Sequence, residues 1–437
     1  MGANILKRLN ENTPDSIKYI FNRVIRNKLI NNKLFTKQYL ELDTYKELSV
    51  NERRNIQLKK LKDHLCYAYE NTSYYKKLFD EIGFNPYLFK NEEELNKIPL
   101  LTKKDIISNY EDFISKENIN YYISSTGGST GKPLRIYLEK DSIYKEKAFI
   151  YNHWSKLGYD YKESKIATFR GVDFKGRIKK YNPLYNEIIL NPMKLNEKNI
   201  DMYVREINNF KCQYIHGYPS AIYNFCKIIS KNNIKLDISI QGVFFISENV
   251  YNEQRDFIEK ILKCKTLSFY GHSERLVFAE EKNRYYKFND LYGYTEIIDI
   301  DNVNRIVCTG FLNKKMPLIR YLTDDAVEEI DGSYKILGHR NKNVLIGRND
   351  EEISMATMEF HSNVFERVKS YQFEQYEKGK LLFNIVPENI LDDCDIENIQ
   401  KELNKKLNGI IEYKINIVDK VKVTSRGKFD ILIQQIK

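Results

Sequence analysis

Cysteine and histidine are scarce in this chain, and neither is clustered. Its 437 residues include six cysteines and six histidines, and no pair of cysteines has Cys-x-x-Cys spacing. His64 and Cys66 lie close together, but the sequence offers no evident source of further ligands for a zinc ion. The pattern is typical of reduced, mostly buried thiols and does not predict a disulfide framework.

Long apolar runs are absent as well. No stretch approaches the length of uninterrupted apolar residues that crosses a bilayer, and residues 1–10 lack the apolar core and cleavage site of a secretory signal. The sequence therefore predicts a cytoplasmic protein without stable membrane insertion.

Neither sign of charge dominates. The chain has 70 lysines and arginines against 60 aspartates and glutamates, and the net charge of +10 is spread widely. Dispersed lysines are typical of solvated helix faces, so we expect no nucleic acid partner, although positive charge also attracts ATP and anionic acids. With 42% hydrophobic and 13% aromatic residues, the chain is expected to form a large core and a smaller domain.

The most informative segment is residues 123–134, which read Ile-Ser-Ser-Thr-Gly-Gly-Ser-Thr-Gly-Lys-Pro-Leu. Its glycines allow the backbone amides to form an anion nest, and its hydroxyl groups can donate to phosphate oxygens. A Walker A loop is the obvious alternative, but Thr126 stands where the first glycine belongs and Pro133 follows Lys132. Leu134 to Leu138 also alternate as a strand, not a helix. A hairpin turn without a ligand is the other interpretation of this segment taken alone.

The segment resembles the phosphate-binding loop of the adenylate-forming (AMP-forming) acid ligase superfamily. The similarity is to the branch of phenylacetate–coenzyme A ligase and the CapK-like proteins of capsular and surface-polysaccharide gene clusters. Four further motifs of the superfamily follow in the same order, so the resemblance covers residues from about 60 to the end. It implies that the loop binds the phosphates of ATP through Ser125, Thr126, Gly127, Gly128, Ser129, Thr130, Gly131 and Lys132.

The second motif, residues 268–274, reads Ser-Phe-Tyr-Gly-His-Ser-Glu and is similar to the family's Tyr-Gly-x-Ser/Thr-Glu. A carboxylate in a turn at a strand end can hold Mg²⁺ beside phosphates. The resemblance implies that Glu274 is this catalytic, magnesium-binding carboxylate. It also implies nucleotide binding by Tyr270, Gly271 and Ser273. Residues 275–290 contain no cysteine, which some relatives carry there, so no zinc is expected.

The third motif, residues 316–325, reads Met-Pro-Leu-Ile-Arg-Tyr-Leu-Thr-Asp-Asp and is close to the branch's Met-Pro-Leu-Ile-Arg-Tyr-x-Thr-Gly-Asp. The resemblance implies that Asp325 accepts hydrogen bonds from the ribose hydroxyls of ATP. Asp324 replaces the usual glycine. It adds a carboxylate and a less permissive backbone beside the nucleotide, which favours the alternative of a degenerate relative.

The last two motifs lie near the C-terminus. Residues 338–343 resemble the interdomain Gly-Arg-x-x-Asp segment with one residue inserted, which implies a nucleotide-binding Arg340 and a hinge within 340–343. Residues 424–429 resemble the Gly-Lys turn before a final strand. The resemblance implies that Lys428 is the catalytic lysine, placed between the substrate carboxylate and the α-phosphate.

The fold predicted on these grounds is α/β, with a large multi-layer domain of sheets and helices over residues 1–340 and a small, mobile α+β lid domain over residues 341–437. Residues 1–95 are expected to be a mostly helical lead-in. Hydrophobic patterns predict a helix from Asn252, as N-cap, to Lys263. Strands are predicted at 166–170, 213–216, 240–247, 266–270 and 305–308, followed by a strand at 380–386, a helix at 395–407 and a strand at 413–418.

The resemblance implies an ATP- and Mg²⁺-dependent ligase that converts a carboxylic acid to an acyl-adenylate. The acceptor of the acyl group is then a thiol (coenzyme A) or an amine of an amino acid or amino sugar. The resemblance to CapK-like proteins slightly favours a role in surface-polysaccharide biosynthesis. A relative that binds nucleotide without turnover is the alternative, and a homodimer stays open. Aromatic walls suit an acyl group, so the candidate pocket residues are Tyr218, Pro219, Phe244 and Phe245, although core packing explains them equally well.

Overall fold

The computed structural model describes most of the chain, in two compact units. The described residues are 18, 21–126, 134–171, 176–248, 250–300, 302–337, 344–358, 360, 367–387, 389–422 and 431–436. The first unit comprises Met1–Glu41 and Lys147–Ser268, and the second comprises Leu42–Glu146 and Phe269–Lys437. This division falls inside residues 1–340, and the predicted boundary between residues 340 and 341 stays a prediction.

The described residues form ten α-helices. In chain order they are α1 (Asn22–Ile30), α2 (Lys33–Lys46), α3 (Val50–Asn71), α4 (Ser73–Glu81), α5 (Lys103–Ser108), α6 (Ser142–Trp154), α7 (Ile200–Phe210), α8 (Pro219–Lys231), α9 (Asn252–Leu262) and α10 (Asp393–Leu407). None of the described helices combines the length and the apolar character that crossing a membrane requires.

The described residues also form twenty strands. They are β1 (Tyr121–Thr126), β2 (Leu134–Glu139), β3 (Ile166–Phe169), β4 (Lys179–Asn182), β5 (Glu187–Leu190), β6 (Tyr214–Gly217), β7 (Gly242–Phe245), β8 (Lys265–Gly271), β9 (Phe278–Lys282), β10 (Tyr285–Phe288), β11 (Gly293–Ile300), β12 (Val303–Gly310), β13 (Tyr321–Ile330), β14 (Ser333–Ile336), β15 (Val344–Ile346), β16 (Glu352–Ser354), β17 (Val368–Gln375), β18 (Lys380–Pro387), β19 (Glu412–Ile417) and β20 (Leu432–Gln434).

The first unit is a helix-covered sheet of mainly parallel strands. Strands β5, β3, β6 and β7 pair in parallel in that order, residues 265–268 of β8 continue the sheet beside β7, and β4 pairs antiparallel with β5. Helices α7, α8 and α9 bury apolar stripes against it, including Ile207, Phe225 and Ile258. Gly217 ends β6 at φ +144°, where a Cβ atom would lie 2.2 Å from the Phe169 carbonyl oxygen, so only glycine fits.

The second unit contains the front helices, a hairpin and an antiparallel sheet. Strands β11, β12, β13, β14, β10 and β9 pair antiparallel in that order, and residues 269–271 of β8 pair with β9. Strands β1 and β2 form a separate hairpin. The core of the second unit includes Leu65 and Phe79 from the helices and Ile306 from the sheet. A capping box of Ser49 and Glu52 starts α3.

The C-terminal part of the second unit is the predicted α+β module. Its sheet has the order β19, β18, β17, β20, and α10 buries Ile399, Leu403 and Leu407. A capping box of Asp392 and Asp395 fixes the start of this helix, two residues earlier than predicted.

The structure confirms the type of the predicted helices and strands and shifts their ends by up to two residues. One detail was wrong: the N-cap of α9 is Tyr251, which makes no side-chain cap, and Asn252 is the first helical residue. The expected strand after the phosphate loop is confirmed as β2. A helix would follow a Walker A loop, so that alternative is excluded.

Candidate active site

The end of β8 and the turn after it carry the second motif. Tyr270 is 3% exposed and points into the core of the second unit. The backbone N–H of Arg275 donates to the His272 carbonyl oxygen at 3.0 Å, which closes a turn over residues 272–275. This turn places Glu274, half-buried, directly after the strand end.

Three side chains from the second and third motifs meet beside this turn. The Tyr270 hydroxyl donates to Asp325 Oδ2 at 2.7 Å, and His272 Nε2 lies 2.9 Å from the same oxygen. The Tyr270 oxygen and His272 Nε2 are 2.5 Å apart. Only 11% of the His272 side chain and 15% of the Asp325 side chain are exposed. We call these three residues the nucleotide cluster.

The electrostatics of the nucleotide cluster keep the tyrosine neutral. Burial first, and then the negative charge of Asp325, raise the pKa of Tyr270 well above its ordinary value. The phenol is therefore a permanent donor at neutral pH. A carboxylate can accept several hydrogen bonds, so an Asp325 oriented in this way is suited to receive the hydroxyls of a ribose.

Glu274 is the predicted magnesium carboxylate, and this assignment stays a prediction. Mg²⁺ is usually held by one or two carboxylates together with substrate phosphates. Across the described part of the chain, no group of three or more His, Cys, Asp or Glu side chains could hold a metal by itself. A single half-buried carboxylate fits a magnesium ion that arrives with ATP. The negative charge of Glu274 also helps to raise the pKa of Tyr321, after the larger effect of burial.

Asp324 does not disturb the backbone as the sequence suggested it would. It lies within β13, is exposed, and is not among the residues with positive φ. Its carbonyl oxygen accepts a hydrogen bond from Arg305 Nη1. Since a residue in an ordinary strand conformation needs no glycine, this departure from the family motif carries no backbone strain.

The predicted phosphate loop connects the two strands of the hairpin. Strands β1 and β2 pair antiparallel from Tyr121 with Glu139 to Thr126 with Leu134. The backbone of Ser125 and Thr126 therefore belongs to β1, while Gly127, Gly128, Ser129, Thr130, Gly131 and Lys132 lie outside the described residues. Asn313 holds the other edge of β2, because it accepts from the Glu139 N–H at 3.1 Å and donates to the Tyr137 carbonyl at 2.9 Å.

Arg340 and Lys428 also lie outside the described residues, but the segment with Lys428 has described flanks. On one side, the Lys422 backbone exchanges two hydrogen bonds with the Gln372 side chain, and its ammonium donates to Glu374 at 2.7 Å. On the other side, Leu432 pairs with Phe373 in β20 and β17. Both flanks are thus fixed to one strand.

The candidate acyl-pocket residues lie in the first unit, and most are core residues. Phe244 and Phe245 are 0% exposed. The Phe244 ring stacks on Trp154 at 4.3 Å and on Tyr214 at 5.4 Å. Pro219 is buried in the first turn of α8, and Tyr218, half-buried, is the N-cap of this helix.

The first unit also contains a polar cluster that no sequence motif indicated. The Glu187 carboxylate, 4% exposed, accepts from Asn182 at 2.8 Å and lies 3.5 Å from the Arg170 guanidinium. Burial raises the pKa of Glu187, but Arg170 and other positive charges lower it, and the net pKa is below its ordinary value. Nearby, burial lowers the pKa of His216 to about 4.

Comparison with known proteins adds to this geometry. Residues 345–435 match the family model of the CapK C-terminal domain. The whole chain is 25% identical to Protein CapK of Staphylococcus aureus, with 96% of this chain and 100% of CapK covered. It is 24% identical to phenylacetate-coenzyme A ligase of Pseudomonas putida, with 78% and 82% covered. The resemblance to the CapK and phenylacetate ligase branch is confirmed.

The fold of this chain is also shared with solved ligases. The structure superposes on 2-hydroxyisobutyryl-CoA ligase in complex with 2-HIB-AMP and CoA with a TM-score of 0.55, at 15% identity, over 89% of this chain and 91% of that one. The predicted α/β architecture of adenylate-forming enzymes is therefore confirmed. The motifs assigned Tyr270 and Asp325 to one nucleotide site, and the structure brings these two side chains together, although their binding of a nucleotide stays a prediction. Sequence reasoning missed the contacts of His272 and Arg275.

Proposed function

We propose that this protein is an ATP-dependent, AMP-forming acid ligase that activates a carboxylic acid as an acyl-adenylate and transfers the acyl group to coenzyme A. The observation that carries the proposal is the nucleotide cluster, in which two family motifs 55 residues apart meet at one carboxylate. Similarity to phenylacetate-coenzyme A ligases supports the thiol as acceptor.

In the proposed first step, a carboxylate oxygen of the acid attacks the α-phosphorus of ATP, and the bond to the pyrophosphate oxygen breaks. Asp325 receives the ribose hydroxyls, and Tyr270 and His272 hold Asp325 in place. Glu274 would hold Mg²⁺, which neutralises charge on the leaving pyrophosphate. Lys428 would lie between the acid and the α-phosphate, where an ammonium stabilises the developing charge. Arg340 and residues 125–132 would hold the rest of the nucleotide.

In the proposed second step, the sulfur of coenzyme A attacks the acyl carbon, and AMP leaves. The lid domain over residues 341–437 would turn between the two steps, and limited proteolysis between residues 340 and 352 tests this boundary. An amine of an amino acid or amino sugar is the alternative acceptor, and it would place the enzyme in surface-polysaccharide biosynthesis. That alternative is supported by the similarity to CapK alone.

A relative that binds nucleotide without turnover is the second candidate. Asp324 and the altered interdomain segment at residues 338–343 were the reasons to consider it, and the exposed position of Asp324 in an unstrained strand weakens the first of them. Retention of Glu274 and Asp325 favours turnover.

The test is pyrophosphate release from MgATP across a panel of carboxylic acids, each with coenzyme A, with an amine mixture, or with neither. We expect release with some acid and product only with coenzyme A. Glu274→Gln should lower the release rate about a hundredfold to a thousandfold, on the scale of losing one electrostatic contact at the reacting phosphates. Glu253→Gln, an exposed residue on α9, is the control. Release that is unchanged in Glu274→Gln, or absent with every acid, contradicts the proposal.

Cellular context is also proposed. We propose a cytoplasmic enzyme that works as a monomer or a homodimer. Fractionation of the source cells and light scattering of the purified protein test both statements.

A further inference from the structure

Arg275 is a buried residue that the proposed mechanism does not use. It follows Glu274, its side chain is 7% exposed, and its backbone has φ +56°. Left-handed backbone is uncommon for residues other than glycine. Since Arg275 also closes the turn over residues 272–275, its conformation determines where Glu274 lies.

The guanidinium of Arg275 contacts three side chains from two other places in the second unit, α6 and β1. Its Nε donates to Glu146 Oε2 at 2.9 Å, and its Nη1 donates to the Ser142 hydroxyl. It lies 5.6 Å from the centre of the Tyr122 ring. The Tyr292 hydroxyl completes the group through Glu146 Oε1 at 3.5 Å. We call these five residues the arginine anchor.

The arginine anchor joins the two elements that flank the proposed phosphate and metal positions. Tyr122 belongs to β1, the strand that leads into the loop of residues 127–133, and Ser142 and Glu146 belong to α6, which follows β2. Arg275 itself belongs to the turn with Glu274. The guanidinium of Arg275 therefore connects β1, and the helix α6 that follows β2, to the turn that carries Glu274.

We propose that Arg275 is a positioning residue that fixes the turn carrying Glu274 against β1 and α6, and so sets the affinity for the triphosphate of MgATP. The inference rests on the proposed function. An arginine is suited to this role because its planar fork can bind a carboxylate, a hydroxyl and an aromatic face at once, and it keeps its charge when buried. Lysine offers a single ammonium and cannot keep all of these contacts.

The test compares Arg275→Lys and Ser142→Ala with wild type by calorimetric binding of MgATP and of AMP, without any acid. AMP lacks the phosphates that reach the loop and the metal. For Arg275→Lys we expect the Kd of MgATP to rise about tenfold with the Kd of AMP almost unchanged, and adenylation to slow by about a hundredfold, the usual scale for a small misplacement of reacting groups. Ser142→Ala loses one contact and should show the same pattern more weakly.

The control is Arg255→Met, which removes another buried arginine, 5% exposed, from α9 of the first unit. Its thermal midpoint should fall while both Kd values stay at wild type. An equal rise of both Kd values in Arg275→Lys would make Arg275 a general structural residue, and wild-type values for both would leave it without a role. Either result overturns the inference. If the wild-type protein releases no pyrophosphate with any acid, the proposed function fails instead.

Discussion

The candidate acyl pocket in the first unit and the nucleotide cluster in the second differ in how their side chains are used. Phe244 and Phe245 are fully buried and packed on other aromatic rings. Tyr270, His272 and Asp325 are also mostly buried, but they meet through polar atoms within 2.5 to 2.9 Å. Burial with apolar partners is what any core requires, whereas buried polar groups must find specific partners. The second pattern is therefore the stronger indication of a site.

The largest expected effect tests the aromatic side of this comparison. Phe244→Ala should lower the free energy of unfolding by about 3–5 kcal/mol, because it opens a cavity between Trp154 and Tyr214. Denaturant unfolding measures the loss. Tyr218→Ala, at a half-buried position, should cost clearly less. A stable Phe244→Ala protein with a changed preference for acids would instead make Phe244 a pocket wall.

The next effect concerns Lys428 and the two half-reactions. If Lys428 has the proposed role, Lys428→Ala should slow acyl-adenylate formation about a hundredfold to a thousandfold, since an ammonium would then be missing as charge develops at the α-phosphate. Transfer from a preformed acyl-adenylate to the acceptor should be nearly unaffected. Rapid-quench measurement of each half-reaction checks both statements, with the exposed Lys420→Ala as the matched control. Equal damage to both steps would mean that Lys428 is structural.

Acid should destabilise both units through one buried histidine each. Burial, with Lys314 as a smaller cause, lowers the pKa of His64 to about 4, and burial lowers that of His216 to the same value. The unfolded chain binds these protons near pH 6.5, so the stability present above pH 6.5 is lost as pH falls toward 4. Each histidine contributes up to roughly 3 kcal/mol over this range.

Denaturant midpoints measured from pH 7 to pH 4.5 test this dependence. If the two contributions are similar, the denaturant midpoint of His64→Leu should fall about half as much between pH 7 and pH 4.5 as that of the wild type. A profile with the same slope in His64→Leu as in wild type would assign the acid sensitivity elsewhere.

The smallest expected effect tests the nucleotide cluster. His272→Phe keeps a ring beside Tyr270 but removes one donor to Asp325, so the KM for ATP should rise about tenfold or less at nearly constant kcat. The preference for ATP over 2′-deoxy-ATP should narrow in the same variant. Asp324→Gly, an exposed change, is the control. A fall in kcat without a change in KM would place His272 in the chemistry and not in ribose binding.

Much of the fold and the motif residues could be predicted from the sequence, because they depend on local patterns. Alternating apolar residues predicted β2, a short apolar run predicted β7, and a helical stripe predicted α10. The partners of these residues could not be predicted, because they lie far apart in the chain. His272 and Asp325 are 53 residues apart, and Arg275 and Glu146 are 129 apart. A local pattern carries no information on such pairs.

The two fixed flanks of the Lys428 segment suggest how this part of the molecule can be engineered. Before the segment, the Lys422 backbone is hydrogen-bonded to the side chain of Gln372. After the segment, Leu432 pairs with Phe373. Both ends are therefore held at neighbouring positions of strand β17. An insert whose ends are already held side by side adds little loop-closure entropy when its length changes. Residues 423–430 can therefore be exchanged for the corresponding segments of similar proteins such as CapK, so that the effect of each segment on activity is compared on one unaltered scaffold.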